Sequence, residues 1–173
     1  MQYKITVGAD FLTKEIKKGE DSIHLQLWDT AGTEKYHSLG QGFYRNTELC
    51  VLVFDQTNIE TFQHIEIWRK DFLESLNPPE GDKYPFVLLG NKNDRTDEIK
   101  VNQEDIDKYC EKHNNIPYYS VSALSNSNVE EAFNKVADMA YIRNTQNEES
   151  FVPTDTKYLK IGEKQPKKKK CCG

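Results

Sequence analysis

Four consecutive apolar residues, Phe86-Val87-Leu88-Leu89, run into Gly90 and then into Asn91-Lys92-Asn93-Asp94. A strand has two faces, so an unbroken apolar run is buried on both, as inside a parallel sheet covered by helices on each side. In such sheets ligands bind beyond the carboxyl ends of the strands, which is where the polar cluster stands. An Asp carboxylate at its last position accepts both N–H donors of a guanine edge in a bidentate pair that adenine cannot reciprocate. Asp94 is therefore read as base-discriminating, the Asn91 amide as a brace between loops, and the Lys92 stem as cover for one purine face. On their own, the four residues are served equally by a polar turn that caps the next helix.

Two further segments point to the same rim. Leu25-Gln26-Leu27-Trp28 alternates like a strand and runs into Asp29-Thr30-Ala31-Gly32, which supplies a carboxylate and a backbone N–H. Asp29 can hold Mg²⁺ through a water, and the Gly32 N–H can meet a terminal phosphate. Ile116-Pro117-Tyr118-Tyr119-Ser120-Val121 reads as another strand, ending in Ser122-Ala123-Leu124, where the Ala123 N–H is placed to touch the base oxygen.

The intervening pattern alternates strands with helices. Phe11 to Lys17 and Ser22 to Asp29 predict an antiparallel hairpin turning at Lys18-Gly19-Glu20-Asp21. Ile59, Phe62, Ile65, Trp68, Phe72 and Leu76 recur at three and four, predicting one helix over 58–76 that Asn77-Pro78-Pro79 ends. Ile106, Tyr109 and Cys110 mark a helix at 103–113, and Val129, Ala132, Phe133, Val136, Ala137 and Ala140 one at 128–143. Strand–helix alternation implies an α/β fold with a doubly wound, mostly parallel sheet and helices on both faces.

At 173 residues and 36% hydrophobic content the chain can supply one core. Its apolar runs fall well short of the roughly 20 residues that cross a bilayer. Gln2-Tyr3-Lys4 lacks the apolar stretch of a secretory signal. The net charge of −5 hides an asymmetry: residues 157–173 carry seven Lys and one Glu, and the other 156 residues carry 16 basic and 27 acidic side chains. An acidic body is a poor nucleic-acid binder, whereas the basic end suits an anionic membrane face. Cys50 and Cys110 fall on faces read as buried and fit core positions in a reducing compartment.

With Val7-Gly8-Ala9-Asp10-Phe11, Trp28 before Asp29, Phe43-Tyr44-Arg45 and Leu52-Val53-Phe54-Asp55, the chain resembles the Rab family of Ras-superfamily small GTPases over nearly its whole length. Residues 3–14 and Asn114-Asn115-Ile116-Pro117-Tyr118 look closest to the late-endosomal and lysosomal Rab subgroup. The resemblance implies a GTP/GDP switch with Mg²⁺. It implies that Thr6 contacts the metal and the γ-phosphate, so that its segment is ordered with GTP and released after hydrolysis. It implies that Val7, Gly8, Phe11, Trp28 and Tyr44 meet effectors, although aromatics of this kind are as often plain packing. Thr33 departs from the family, which usually has Gln after the glycine to orient the attacking water. A short β-branched hydroxyl cannot reach both water and phosphate, so slow intrinsic hydrolysis is expected. Leu124 replaces the usual Lys, with less consequence because the contacts there are made by backbone.

One expected motif is missing. A triphosphate is held chiefly by a loop G-x-x-x-x-G-K-[S/T], and none of the nine glycines has that spacing. In the family this loop, with its strand and helix, lies upstream of the Tyr3 segment, so the chain is expected to start after it. The lost strand would be central, between the strand ending at Asp29 and the strand Cys50 to Phe54. Its loss removes two ladders and a row of core side chains, more than the roughly 5 to 15 kcal/mol that keeps a domain folded, so poor folding and weak nucleotide binding are expected.

The organisation expected is a small-GTPase domain over 1–143 and a flexible tail over 144–173. Lys167 to Lys170 lead to Cys171-Cys172-Gly173. A C-a-a-X box would need Cys where Lys170 stands, and paired terminal cysteines resemble Rab substrates that receive two geranylgeranyl groups. Two lipid chains make attachment stable where one is marginal. A free, solvated Cys pair is the alternative. By resemblance the partners are Rab effectors, an exchange factor, an activating protein, the Rab escort protein with its prenyltransferase, and a GDP-dissociation inhibitor. The location is the cytoplasmic face of endosomal, lysosomal or vacuolar membranes, cycling with the cytosol. Two other readings stand beside this one: a nucleotide-independent, lipid-anchored interaction module, and a non-functional remnant. Retention of Thr6, Asp29, Asn91, Lys92 and Asp94 favours the switch.

Overall fold

The computed structural model describes residues 6, 8–18, 21–32, 44–45 and 47–150. Val7, Thr33, Cys171 and Cys172 lie outside the described residues. Strands β1 (Ala9–Lys18) and β2 (Asp21–Thr30) form the antiparallel hairpin, with Phe11 opposite Trp28 and Lys18 opposite Asp21, slightly longer than its alternation alone required. A second sheet is parallel and three-stranded, in the order β3 (Cys50–Asp55), β4 (Phe86–Asn91), β5 (Tyr118–Ser120). β5 is shorter than the 116–121 stretch, because Pro117 has no N–H to give the ladder. Its flanks are still bonded to β4, through Leu88 N–H to the Pro117 carbonyl at 2.9 Å and Val121 N–H to the Gly90 carbonyl at 2.8 Å.

The apolar run in β4 divides between two cores, as a doubly covered strand must. Phe86 and Leu88 face one side with Leu52, Phe54, Ile65, Phe72, Tyr84, Ile106 and Ile116. Val87 and Leu89 face the other with Val121, Ala132, Val136 and Ala137. Helices α1 (Ile59–Gln63), α2 (Ile65–Leu76) and α3 (Gln103–Lys112) cover the first side, and α4 (Val129–Ser150) the second.

The single helix expected over 58–76 is two, broken in its ladder at His64, which keeps a right-handed φ of −75°. The apolar positions 59, 62, 65 and 68 step by three, so their stripe slips by about 60° per step around a 3.6-residue helix. A break lets both halves face the core. Asn77 ends α2 in the left-handed region (φ 48°), its N–H on the Leu73 carbonyl at 2.8 Å, ahead of Pro78-Pro79. α4 continues past Arg143, which is tied to Glu80 and Glu48 and lies over the Tyr84 ring, 4.5 Å from its centre. The helix therefore does not stop where the apolar repeat thins.

The hairpin and the parallel sheet do not share a ladder. β2 pairs with β1 alone and β3 with β4 alone among the described residues. Ile16 and Leu25 instead pack into the α4 core, and Lys18 reaches Asp138 at 2.8 Å. The two free edges border a slot. Ser22 to Leu27 share a cavity of about 480 Å³ with Thr47, Glu48, Leu49 and Val51. Leu27 to Gly32 share one of about 550 Å³ with Cys50 to Val53, Leu89 and Phe133. Both cavities thus lie between β2 and residues 47–53 at and before β3. Val53 is 54% exposed on this side, unusual for the middle of an apolar strand.

Candidate functional site: the loops at the carboxyl ends of the sheet

Gly90 is the point at which β4 turns into the polar cluster. A methyl group there would lie 2.7 Å from the Tyr118 hydroxyl and 2.9 Å from Gln56 Cγ, so only glycine fits. Gln56, buried just after β3, donates to the Gly90 carbonyl at 2.8 Å. It accepts from the Tyr118 hydroxyl at 3.1 Å and Ser120 Oγ at 3.2 Å, locking the ends of β3, β4 and β5 together.

On this base the Asn91–Asp94 and Ser122–Ala123 loops clasp each other. Asn91 Oδ1 accepts from Lys92 N–H at 2.8 Å and from Ala123 N–H at 3.0 Å, so the amide braces two loops as read. Asn93 Nδ2 and Asn128 Nδ2 both donate to the Ser120 carbonyl, at 2.9 and 2.8 Å. Ser122, with no exposed surface, gives its hydroxyl to Asp94 Oδ1 at 2.5 Å and accepts from Ser125 N–H at 3.1 Å. Asp94 itself is exposed. The arrangement offers an aimed carboxylate beside a tight backbone turn, which suits a planar heterocycle with paired N–H donors.

The Ala123 N–H, expected to touch the base oxygen, donates to Asn91 Oδ1 at 3.0 Å. A base oxygen has to share the donor. Leu124, 84% exposed, makes no demand on the loop.

Lys92 stands at φ +69°, a left-handed conformation that is uncommon for a residue with a side chain. Its ammonium meets Asp55 Oδ2 at 2.7 Å. Burial pushes the Asp55 carboxyl up, but Lys92 and the hydroxyl and N–H of Thr57 outweigh it, so it titrates below the usual carboxylate value.

At the hairpin end of the rim, Ala31 N–H donates to the Gly8 carbonyl at 2.9 Å, continuing the ladder past the Ala9–Thr30 pair. That bond holds Gly8 beside Ala31, two residues from Asp29. A Thr hydroxyl and an exposed Asp29 carboxylate are hard oxygen donors, the set Mg²⁺ takes when phosphates complete its shell. Gly32 is exposed, with nothing within 4 Å of where a Cβ would stand.

Trp28 and Tyr44 of the expected aromatic set line one cavity. Phe11 and Trp28, each 43% exposed, meet at 4.7 Å between ring centres. Tyr44 also meets Phe72 at 5.0 Å between ring centres, tilted by 52°, and packs against the core that includes Phe72. Cys50 and Cys110 are half-buried rather than enclosed, and burial pushes their thiols up to about 12 and about 11.

Sequence reasoning missed Asp55 and Gln56 as parts of the site, and the bracing by Asn93 and Asn128. The signal for them was a polar pair ending an apolar strand, and Asn residues suited to left-handed turns, as at Asn126 (φ 60°) and Asn128 (φ 57°).

Comparison with known proteins agrees with this geometry. The Ras family pattern matches residues 1–142. The chain is 42% identical over 172 residues to the Ras-related protein Rab-7a of Paramecium octaurelia, covering 99% of this chain and 83% of that one. The same identity and coverage hold for the Ras-related protein Rab-7a of Dictyostelium discoideum. The GTP-binding protein yptV5 of Volvox carteri is 42% identical over 175 residues, again with 99% and 83% covered.

Proposed function

The chain belongs to the Ras family and is a Rab7-like small GTPase, and from that premise we propose that it is a GTP/GDP switch of late-endosomal membrane traffic whose guanine is read by Asp94. The observation that carries the reading is the Asp94 carboxylate, held by buried Ser122 at the end of the sheet. With one oxygen fixed by that hydroxyl, the carboxylate meets the base without reorganising, and a bidentate pair discriminates guanine from adenine. Asn91 keeps the two loops in register, and Lys92 walls the site. Thr6 and Asp29 would hold Mg²⁺, which when bound neutralises charge on the terminal phosphates. Thr33 lacks the reach of an amide, so water is poorly oriented and intrinsic hydrolysis is slow until an activating protein supplies the missing group.

The slot between β2 and β3 supports a second part of the reading: a strand lying parallel to both completes the sheet, and a phosphate-binding loop at its end meets Gly32 and Lys92. Without that strand, residues 1–173 alone bind nucleotide weakly. The tail attaches to the cytoplasmic face of late-endosomal, lysosomal or vacuolar membranes through geranylgeranyl groups on Cys171 and Cys172. Effectors bind across Val7, Gly8, Phe11, Trp28 and Tyr44. An exchange factor, an activating protein, an escort protein with its prenyltransferase and a GDP-dissociation inhibitor act on the switch.

The test is competition between GDP and ADP for a fluorescent GDP analogue, on the 173-residue chain and on the chain joined to a strand–loop–helix segment. Guanine preference in the joined chain, lost in Asp94→Ala, is the expected result. Equal competition by ADP, or preference retained in Asp94→Ala, overturns the reading. Nanomolar binding by the 173-residue chain alone overturns its second part.

A further inference from the structure

Lys92 is held at both ends. Its left-handed backbone is fixed by its own N–H on Asn91 Oδ1 and by the Arg95 N–H on its carbonyl at 3.1 Å. Its ammonium is fixed by Asp55, and Asp55 is itself immobilised. Oδ1 accepts from Thr57 Oγ1 at 2.7 Å and Thr57 N–H at 2.8 Å, and the Asp55 N–H donates to Thr61 Oγ1 at 3.0 Å. Register places Asp55 directly across from Asn91, the residue before Lys92. An uncommon backbone conformation persists where its surroundings over-determine it, and such positions cluster at ligand clamps. A lysine stem is otherwise floppy, and ordering it only on binding would weaken the ligand.

We infer that Asp55 is a positioning residue for purine binding: its carboxylate draws the Lys92 ammonium to the end of β3, so the alkyl stem is pre-set as one wall of the base site. This rests on the reading of that site as a guanine site. The stem covers a ring face and reads no edge, so its posture matters alike to guanine and hypoxanthine, whereas Asp94 separates them by the exocyclic amine.

Two measurements on the full chain, joined to the strand–loop–helix segment where nucleotide is present, test it. The first is acylation of Lys92 by a small anhydride without nucleotide, followed by mass spectrometry. Asp55→Asn is expected to speed modification several-fold, and Asp55→Glu to restore protection. The second is displacement of the fluorescent GDP analogue by GDP and by IDP. Asp55→Asn is expected to weaken both by the same factor, roughly three- to tenfold for a partly exposed ion pair. Lys92→Met, which keeps the Asp55 side chain but removes its ammonium partner, is expected to show the same loss, and Asp55→Asn to add nothing in that background. Unchanged acylation, unchanged or tighter binding, or an Asp55→Asn effect that survives in Lys92→Met overturns the inference. If no joined chain binds GDP at all, the guanine reading falls and the purine role with it, while acylation still decides whether Asp55 holds Lys92.

Discussion

At the scale of single residues, the tightest constraint is Gly90, where three strand ends converge on one Cα. Gly90→Ala forces Tyr118 and Gln56 apart and disturbs the root of the Asn91–Asp94 loop. A loss of about 1 to 3 kcal/mol is expected, the usual cost of overpacking, read from the urea midpoint at constant slope. A different position governs pH dependence. His113 is buried, 3.2 Å from Glu66 Oε2 but out of line for a hydrogen bond, with the Tyr109 ring against it. Burial first, and then Arg69 and Lys112, lower its pKa from 6.5 against the opposing pull of Glu66 and Asp82. The folded chain therefore holds fewer protons than the unfolded chain between the lowered value and about 6.5. Stability from this group is complete above pH 6.5 and falls as pH drops through that window. His113→Gln is expected to flatten the acid side of a stability–pH curve there, and an unchanged slope would assign the sensitivity elsewhere. Asp94, Asn91 and Ser122 could be set at one rim because each stands in a short polar stretch just beyond an apolar strand. Asp55 was not, because its partner lies 37 positions away and only strand register brings them together.

At the scale of elements, ends were easier to read than continuity. Asn102 caps α3 by accepting from Glu104 N–H at 3.0 Å, and Asn58 does the same for Glu60 at α1. Replacing Asn102 by Ala is expected to cost about 1 kcal/mol in chemical denaturation, as for other lost caps. Lys18→Ala, by contrast, removes a pair whose side chains are 33% and 48% exposed, and is expected to change stability within about 0.5 kcal/mol. The break at His64 was hidden because both halves continue the same apolar repeat, and a count of threes and fours does not register accumulated drift. The extent of α4 was hidden for the opposite reason: beyond Arg143 the helix shows no apolar stripe, so periodicity falls silent while the backbone continues.

At the scale of the whole molecule, two parts of unequal strength share no ladder among the described residues. β4 lies between β3 and β5 with Val87 and Leu88 fully enclosed, and helices cover both of its faces. Among its described side chains the hairpin buries Ile16 and Leu25, and two strands alone are marginal in water. The two strand groups could be anticipated, one from the alternation over Phe11 to Asp29 and the other from strands that alternate with helices. The manner in which the hairpin stays attached could not, since Ile16 and Leu25 are two apolar residues among many until α4 is folded against them. Their contact sets the opening equilibrium of the hairpin. Native-state hydrogen exchange is expected to show amides of β1 and β2 opening at a free energy below the global value, while those of β4 exchange only with global unfolding. Ala132→Leu, which crowds an α4 position with no exposed surface, should lower hairpin protection further. A strand filling the slot should raise it, because it would bond both free edges at once. Equal protection in hairpin and β4 before any strand is added would show that the docking on α4 suffices, and that the slot is not the weak seam of the molecule.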